Sequence, residues 1–328
     1  MIHPTGPAMA RIKNTAPLDP ARARTRKLAQ LSRLVRLEDF ARPVRQGGSF
    51  AQFLDSLPAI LAAAELRELA RRIARAHRAG RTFLLMAGAH PIKTGLSPLI
   101  CELIRDGILS AVAMNGAAII HDFELAFAGR TSEDVGAGLV DGSFGMARET
   151  GEFLNRAAAI AAQEGLGLGE VVGREINRHR LKHRAISIFA CAHQAAIPAT
   201  VHVAIGADII HMHPNADGAA IGKATLADFH RLAEVAGSLS RGVVLNLGSA
   251  VIMPEMFLKA LNLSRNLGRK VRDFTSADMD FVRHYRPRVN VVERPTRNNG
   301  RGIMLTGHHE IMFPLLIAAV REELRRTR

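Results

Sequence analysis

The chain has 328 residues, of which 48% are hydrophobic and 23% charged, with a formal net charge of +14. This composition is ordinary for a soluble globular protein of one large or two modest domains. No apolar run reaches the roughly 18 residues of a transmembrane helix, and the start of the chain lacks the apolar segment of a secretory signal. The two cysteines, Cys101 and Cys191, have no CxxC spacing. They argue against a disulfide framework or a cysteine-based zinc site and favour the cytoplasm.

Residues 1–36 form a basic tail with eight Arg or Lys against one acid, Asp19. We expect this tail to be disordered at first and helical towards 27–36. A basic tail can contact nucleic acid or an anionic surface, or it can simply add solubility. Because the chain has no Trp and one Tyr, little is available for base stacking, and we expect no nucleic-acid or membrane partner.

The segment 37–80 is predicted to be a connector followed by two amphipathic helices. Apolar side chains recur at helical spacing between Phe50 and Arg78, opposite a run of arginines. We interpret the arginines as a solvated face and the segment as an N-terminal helical region.

A strand–helix alternation begins at residue 81 and continues to 328. Short apolar runs predict strands at 82–87, 108–114, 200–205, 242–247, 270–274 and 288–293. Helical patterns lie between them, and the last is predicted at 309–326. The alternation predicts an α/β, Rossmann-like fold with a mostly parallel sheet and helices on both faces. The Gly-rich segment 129–145 has no apolar period and is predicted to be a structureless lid or a subunit contact.

Five polar segments follow predicted strands and are expected to converge at one edge of the sheet. They are 88–95, 115–124, 208–217, 246–250 and 275–280. In the first, Lys93 precedes a helix and could pair with a phosphate, act as an amine nucleophile or be a solvated loop lysine. In the second, His121 could move a proton, and Asp122 could assist it or only cap a helix.

The densest polar stretch is HVAIGADIIHMHPNADGAAIG, residues 202–222. Asp208, His211 and His213 are predicted to surround a substrate as acid, base or orienting groups. One alternative is a metal-dependent hydrolase or lyase that uses His202, His211, His213 and Asp217. Another is that His202 is a core histidine and the remaining residues cap a helix, in a non-catalytic binding or scaffold protein.

Three later segments offer groups for a ligand. Gly248 and Ser249, after a strand, would let a ligand lie against the backbone. Thr275, Ser276 and Asp278 could bind ribose hydroxyls or cap a turn. His308 and His309 begin the final helix, and one of them is a candidate for facing the site.

Taken in order, these segments resemble the deoxyhypusine synthase family over about residues 82–320. The segments that carry the resemblance are AHPIKTG (89–95), NGAAIIHDF (115–123), IPATVHVAIGAD (197–208), LGSAV (247–251), TSADMD (275–280) and TGHHEIMFPLL (306–316). The resemblance implies a Rossmann-like fold, an NAD cofactor and a homotetramer with active sites at subunit interfaces. It also implies a transferase that passes hydride from spermidine to NAD and then moves an aminobutyl group through a lysine imine.

The resemblance assigns groups to two sets. Cofactor contacts are expected at Gly88, Ala89, His90, Thr94, Asn115, Gly116, Gly248, Ser249, Thr275, Ser276 and Asp278. Substrate groups are expected at Lys93, His121, Asp122, Asp208, His211 and His213. The family's catalytic lysine has no counterpart, since no lysine follows Lys270 and arginine cannot form the imine. The resemblance, with this departure, therefore implies an NAD-binding enzyme with changed chemistry on an amine or hydroxyl small-molecule substrate.

Overall fold

The computed structural model describes residues 16–326, which divide into two units with the boundary between Asp39 and Phe40. Residues 16–39 contain three single-turn 3-10 helices and bury no side chain. The helix predicted for 27–36 is limited to the turn Leu28–Gln30. Leu28 and Leu34 are exposed, and a short helix without a packed apolar face is marginal in water. The part of the predicted tail at 1–15 lies outside the described residues.

The second unit is built on a sheet of six parallel strands in the order β3-β2-β1-β4-β5-β6. The strands are β1 Phe83–Ala87, β2 Ala111–Asn115, β3 Ala199–His202, β4 Val243–Leu247, β5 Thr275–Asp280 and β6 Arg301–Thr306. This order confirms the predicted Rossmann-like α/β fold. The chain reverses its direction of winding between β1 and β4, which is where such sheets place their ligands.

Helices cover both faces of the sheet. They are α1 Phe50–Ser56, α2 Leu61–Arg78, α3 His90–Lys93, α4 Ser97–Arg105, α5 Gly116–Ala128, α6 Val135–Asp141, α7 Arg148–Glu164, α8 Leu168–Arg178, α9 Ile188–Gln194, α10 Gly218–Gly237, α11 Ile252–Asn266, α12 Arg294–Thr296 and α13 His309–Arg325. Alternate side chains of β1 enter two apolar clusters: Leu85 packs towards α2, α5 and α13, and Leu84 towards α10 and α11. Between residues 16 and 326, no helix is both long and apolar enough to cross a bilayer.

The last two strands differ from the prediction. The run 275–280, expected to follow a strand, is itself β5, and the segment 288–293, expected to be a strand, lies within a π-helix at Pro287–Glu293. The polar residues of β5 are tolerated in the sheet because each finds a partner: the Ser276 hydroxyl donates to the Val291 carbonyl, for example. The apolar residues Val289, Val291 and Val292 are buried in the π-helix, so tertiary packing overrides their strand propensity.

The Gly-rich segment 129–145 was predicted to be structureless, and this prediction is wrong. It contains α6, whose first turn is capped by Asp134, which accepts a hydrogen bond from the Ala137 backbone N–H at 3.1 Å. Leu139 and Val140 on this helix are exposed.

Candidate functional site

A cavity of about 150 Å³ lies at the carboxyl ends of β1, β2 and β3. It brings together three of the predicted substrate groups, Lys93, His121 and Asp208. The other lining residues are Ala117, Ile120, Glu124, Ser132, Glu133, Val135, Phe144, Ala207 and Ile209. The predicted convergence of loops at one sheet edge therefore holds for these three residues.

Asp208 is buried, and its Oδ2 atom has no hydrogen-bond partner in the described structure. It lies against the first turn of α5, where a Cβ on Gly116 would be 1.9 Å from that oxygen. Glycine is thus required at 116 for the carboxyl group to reach this place. Burial raises the pKa of Asp208 to about 6. A carboxyl group with such a pKa can hold or release a proton near neutral pH.

His121 lies on α5, one turn before Glu124. Its Nδ1 atom is 2.7 Å from the Thr131 hydroxyl oxygen, and the Thr131 hydroxyl donates in turn to Glu124. Burial, followed by the nearby Lys93 ammonium, lowers the pKa of His121 to about 4. The imidazole is therefore neutral at physiological pH, which is the form that can accept a proton.

Residues 131–146 cover the cavity and are fixed at both ends. Thr131 is held by His121 and Glu124, while Glu133 accepts a hydrogen bond from the Gly145 backbone N–H at 2.8 Å. The Gly145 carbonyl accepts from His213 Nε2 at 2.9 Å. His213 thus anchors this cover and is not among the residues lining the cavity.

Two other predicted substrate groups are not brought to the cavity. Asp122 is fully buried and accepts hydrogen bonds from the Ser187 hydroxyl and, at 2.7 Å, from the Ile188 N–H. Through these bonds it caps the start of α9. Neighbouring residues of a helix face different directions, so Asp122 points away from the cavity that His121 faces. His211 accepts from the Gly206 N–H at 3.1 Å and braces the loop after β3.

The point where the winding of the sheet reverses is formed by the ends of β1 and β4. A Cβ on Gly88 would be 2.5 Å from the Gly248 carbonyl oxygen. Gly248 has φ +64, and a Cβ there would be 2.7 Å from Cε1 of His309. The Ser249 hydroxyl then accepts from the Met253 N–H at 3.2 Å, at the start of α11. Only small residues allow the two loops to approach in this way.

His309 lies behind Gly248 and is 1% exposed, yet neither ring nitrogen makes a hydrogen bond. Its Nε2 atom is 3.4 Å from Asp280 Oδ1, close enough for an ionic contact but not aligned as a hydrogen bond. The His309 ring packs edge-on against those of His90 and Phe281, at centroid distances of 5.3 and 5.6 Å. Buried polar atoms without a protein partner indicate a place where a ligand or water binds.

The predicted cofactor contacts on β5 need correction. Thr275 begins β5 at the opposite, amino-terminal edge of the sheet, where its hydroxyl accepts from Arg72. Ser276 follows it and bonds to Val291. Asp278 lies mid-strand and accepts from the Asn246 side-chain amide at 2.7 Å, so it supports the end of β4 from below. The prediction failed here because it placed the strand five residues too early.

Other predicted cofactor residues lie at the expected edge but have structural bonds. The Asn115 side chain caps α5 by accepting from the Ala118 N–H, and the Thr94 hydroxyl donates to the carbonyl of His90. Gly88, Ala89, Gly248 and Ser249 remain as small residues around the reversal point, whereas Gly116 follows β2 and lies against Asp208.

The metal-dependent alternative finds no support in the geometry. His202 is buried in β3, with Nε2 3.0 Å from the Thr200 hydroxyl, and Asp217 caps α10 by accepting from the Ala219 N–H. Within residues 16–326, no three or more His, Cys, Asp or Glu side chains are grouped so as to hold a metal ion.

The sequence analysis did not identify Glu124 and Glu133 as residues of the cavity, nor Thr131 as the residue that bonds to both His121 and Glu124. One signal was present, since His121 and Glu124 are three residues apart and share a helix face. The approach of Thr131 to both residues depends on how the cover folds back over α5, and no local pattern indicates it.

Comparison with known proteins found no matching family model and no matching curated protein. Solved structures do share the fold. The apo structure of ArgZ, an arginine dihydrolase from the ornithine–ammonia cycle in cyanobacteria, is 16% identical with a TM-score of 0.52, covering 80% of this chain and 33% of that one. AgrE in a ternary complex with ornithine and NAD+ is 15% identical with a TM-score of 0.51, covering 82% and 34%.

The chain spans about a third of the length of these two proteins. A candidate deoxyhypusine synthase from Entamoeba histolytica is also similar, at 12% identity and a TM-score of 0.49, covering 85% of this chain and 95% of that one. Its structural likeness to this chain is distant. At these identities the likeness is one of fold alone.

Proposed function

We propose that the protein is an NAD-binding enzyme that removes a proton from an amine or hydroxyl substrate held beside His121, Lys93 and Asp208. The observation that carries the proposal is the position of these groups. They line a cavity at the carboxyl-terminal edge of the sheet. The reversal point between β1 and β4 lies at the same edge, and β1 borders both. Parallel sheets of this strand order bind dinucleotides at that point.

The residues at the reversal point fit a dinucleotide in two respects. Gly88 and Gly248 keep side chains away from the junction of the loops, and His309 and Asn246 hold buried polar atoms that lack a partner. The similar fold of AgrE was solved with NAD+, which supports the same proposal. When bound, NAD supplies a hydride acceptor. Gly88, Ala89, Gly248 and Ser249 would hold it.

Charge in the cavity favours a cationic amine. Three carboxyl groups, on Glu124, Glu133 and Asp208, face a single ammonium on Lys93. An amine substrate would enter with its ammonium near the carboxyl groups, and the neutral His121 imidazole would take the proton that must leave. Lys93 would then pair with an anionic part of the substrate or keep the carboxyl groups ionised.

The apolar part of the cavity suits a short alkyl chain. Ile120 and Ile209 line it from below, and Val135 and Phe144 line it from the cover. A small aliphatic amine or alcohol would bury its methylene groups here, with about 0.8 kcal/mol for each one buried.

The proposal does not extend to aminobutyl transfer. An imine needs a lysine, and none follows Lys270 in the region where the resembling family has one. Of the two lysines that could replace it, Lys93 and Lys223, Lys93 is on the cavity wall, whereas Lys223 is an exposed residue of α10 that does not line the cavity.

The test is calorimetric titration of NAD and NADH into the metal-free full-length protein, followed by an assay of NADH absorbance with spermidine and with a panel of amines and alcohols. We expect binding, NADH formation with a member of the panel, and loss of turnover but not of binding in His121→Asn. Absence of NAD binding would overturn the cofactor assignment. Loss of NAD binding in His121→Asn would overturn the assignment of His121 to the substrate.

We also propose assembly into a homo-oligomer. Val135, Leu139 and Val140 on α6 expose apolar surface beside the cavity. Light scattering on the eluting protein measures the mass directly, and a monomer at all concentrations would contradict this part of the proposal.

A further inference from the structure

Glu124 is the end of a hydrogen-bonded chain that starts at His121. Besides the Thr131 hydroxyl, the Thr150 hydroxyl donates to it at 3.3 Å, and the Ser132 backbone N–H points at it as well. Burial raises the pKa of Glu124, but donors directed at a carboxylate favour its ionised form. An ionised carboxylate can only accept hydrogen bonds.

Glu124 also lines a second cavity, and His121 is not among the residues of that cavity. This open cavity of about 440 Å³ has Glu124, Thr131 and Thr150 on its wall, together with Arg130 and Glu149. The carboxyl group is therefore shared between the inner cavity and this outer one. Exposure of the carboxylate to the outer cavity lowers the free-energy cost of holding its charge inside the protein.

The direction of the chain follows from the number of hydrogens. The Thr131 hydroxyl has one proton, and it is donated to Glu124. The Thr131 oxygen can then only accept from His121, whose Nδ1 lies 2.7 Å away. The proton of the neutral imidazole is therefore on Nδ1, and Nε2 carries the lone pair.

We infer that Thr131 and Glu124 are positioning residues, which hold His121 in its Nδ1–H tautomer and leave Nε2 as the proton acceptor of the inner cavity. No protein group among residues 16–326 hydrogen-bonds Nε2 of His121. A carboxylate that fixes a histidine tautomer is a recurring device in general-base catalysis, and here a threonine hydroxyl is inserted between the two groups. The catalytic part of the inference rests on the proposed function, and the tautomer does not.

The tautomer can be measured without substrate or cofactor. The full chain is labelled with [15N]histidine, and long-range proton–nitrogen correlation spectra are recorded at pH 7. The His121 signals are assigned by their loss in His121→Asn among the 14 histidines. We expect a protonated Nδ1 and an unprotonated Nε2 in the wild type. A protonated Nε2 in the wild type would overturn the inference.

Variants test the two positioning residues separately. Thr131→Val and Glu124→Gln remove the acceptor or its charge and are expected to shift His121 towards the Nε2–H tautomer. Thr131→Ser restores the hydroxyl and is expected to restore the Nδ1–H tautomer. Thr296→Val removes a hydroxyl that donates to the Val292 carbonyl in the preceding π-helix, far from His121 in the sequence, and is the matched control with unchanged His121 signals. An unchanged tautomer in both Thr131→Val and Glu124→Gln would contradict the inference.

The kinetic consequence is measured with the substrate found in the NADH assay. Thr131→Val is expected to lower kcat roughly 100-fold with little change in KM, and Thr131→Ser to recover most of it. If NAD does not bind but the tautomer shifts as expected, the proposed function fails and the positioning of His121 stands. If NAD binds and turns over while the tautomer is insensitive to Thr131, only this inference fails.

Discussion

Gly88 and Gly248 meet so closely that a Cβ on Gly88 would be 2.5 Å from the carbonyl oxygen of Gly248. The contact joins the ends of β1 and β4, the two strands between which the winding reverses. Gly88→Ala is expected to force the loops apart and to cost about 1–3 kcal/mol of unfolding free energy. It should also weaken NAD binding at least tenfold, as measured by calorimetry. Gly80→Ala has open space around its Cβ and is the control for affinity, although its φ of +59 adds some strain. Equal NAD affinity in Gly88→Ala and wild type would show that the junction does not shape the nucleotide site.

Asp208 gives a prediction with a pH dependence. Its pKa rises from 3.8 to about 6 on folding, so between these values the folded protein binds the proton more tightly than the unfolded chain. The free energy of unfolding therefore falls as pH increases through this window, by on the order of 3 kcal/mol. Asp208→Asn is expected to be more stable than wild type at pH 7.5 and to lose that advantage near pH 4, in urea denaturation at both pH values.

Asp217→Asn, at an exposed helix cap where asparagine also serves, is the control for Asp208→Asn and should show no such trend. An equal gain for Asp208→Asn at both pH values would mean that the ionised carboxylate carries no cost of burial. Turnover in Asp208→Asn is expected to fall. Asp208 would then lower the stability of the wild-type protein while being needed for its activity.

Asp122 is expected to matter for stability and not for chemistry. Asp122→Ala leaves the Ser187 hydroxyl and the Ile188 N–H buried without an acceptor, which costs about 2–3 kcal/mol. Asp122→Asn keeps one oxygen for the Ile188 N–H and should cost clearly less. Thermal melts of the two variants beside His121→Asn measure this difference. A melt of Asp122→Ala like that of wild type would show that α9 does not depend on this cap.

Glu133 is expected to control the cover. Glu133→Ala removes the acceptor for the Gly145 N–H, a bond worth about 1 kcal/mol, and should speed hydrogen exchange at Gly145 several-fold. Glu133→Gln keeps an amide oxygen in the same place and should exchange at nearly the wild-type rate. Hydrogen–deuterium exchange on peptides that contain 143–147 distinguishes the three proteins. Identical exchange in all three would mean that the His213 bond alone holds this end.

His309 is expected to serve the ligand rather than the fold. His309→Phe removes two buried nitrogens that make no hydrogen bond, together with the 3.4 Å ionic contact to Asp280, and places a ring of similar size between His90 and Phe281, so the melting temperature should change little. NAD affinity is expected to fall about tenfold, which is about 1.4 kcal/mol. His230→Phe, on the exposed surface of α10, is the control. An affinity equal to that of wild type would remove His309 from the nucleotide site.

The fold could be predicted where apolar runs alternate with amphipathic helices. The strand β1 is a continuous apolar run, and β2 and β4 are apolar except for Asn115 and Asn246, because both faces of the parallel sheet are covered. The strand β5 could not be found this way, since Ser276 and Asp278 are polar and are satisfied only by partners on other elements. The run 289–292 has strand propensity but forms a helix, because packing against β5 decides its conformation.

The candidate site was predictable to the extent that strand ends converge. Lys93, His121 and Asp208 follow three different strands and meet because the sheet is parallel. Asp122 was misplaced because position in a segment does not tell which side of α5 a residue faces. The contacts of Thr131 with α5 and of His213 with Gly145 depend on the path of residues 131–146, which no spacing in the sequence reveals.

The cover over the cavity is held by side-chain bonds at Thr131 and at Gly145, while α6 between these points contributes a backbone bond, from the Phe144 N–H to the Gly138 carbonyl at 3.2 Å. Side-chain substitutions in α6, at Val135 above all, can therefore reshape the roof of the cavity while the bonds that hold His121 and Glu124 stay in place. Under the proposed function, such substitutions would change which substrates fit the cavity and leave His121, Glu124 and Asp208 unchanged. The same division makes α6 the place to graft new specificity onto an otherwise intact chain.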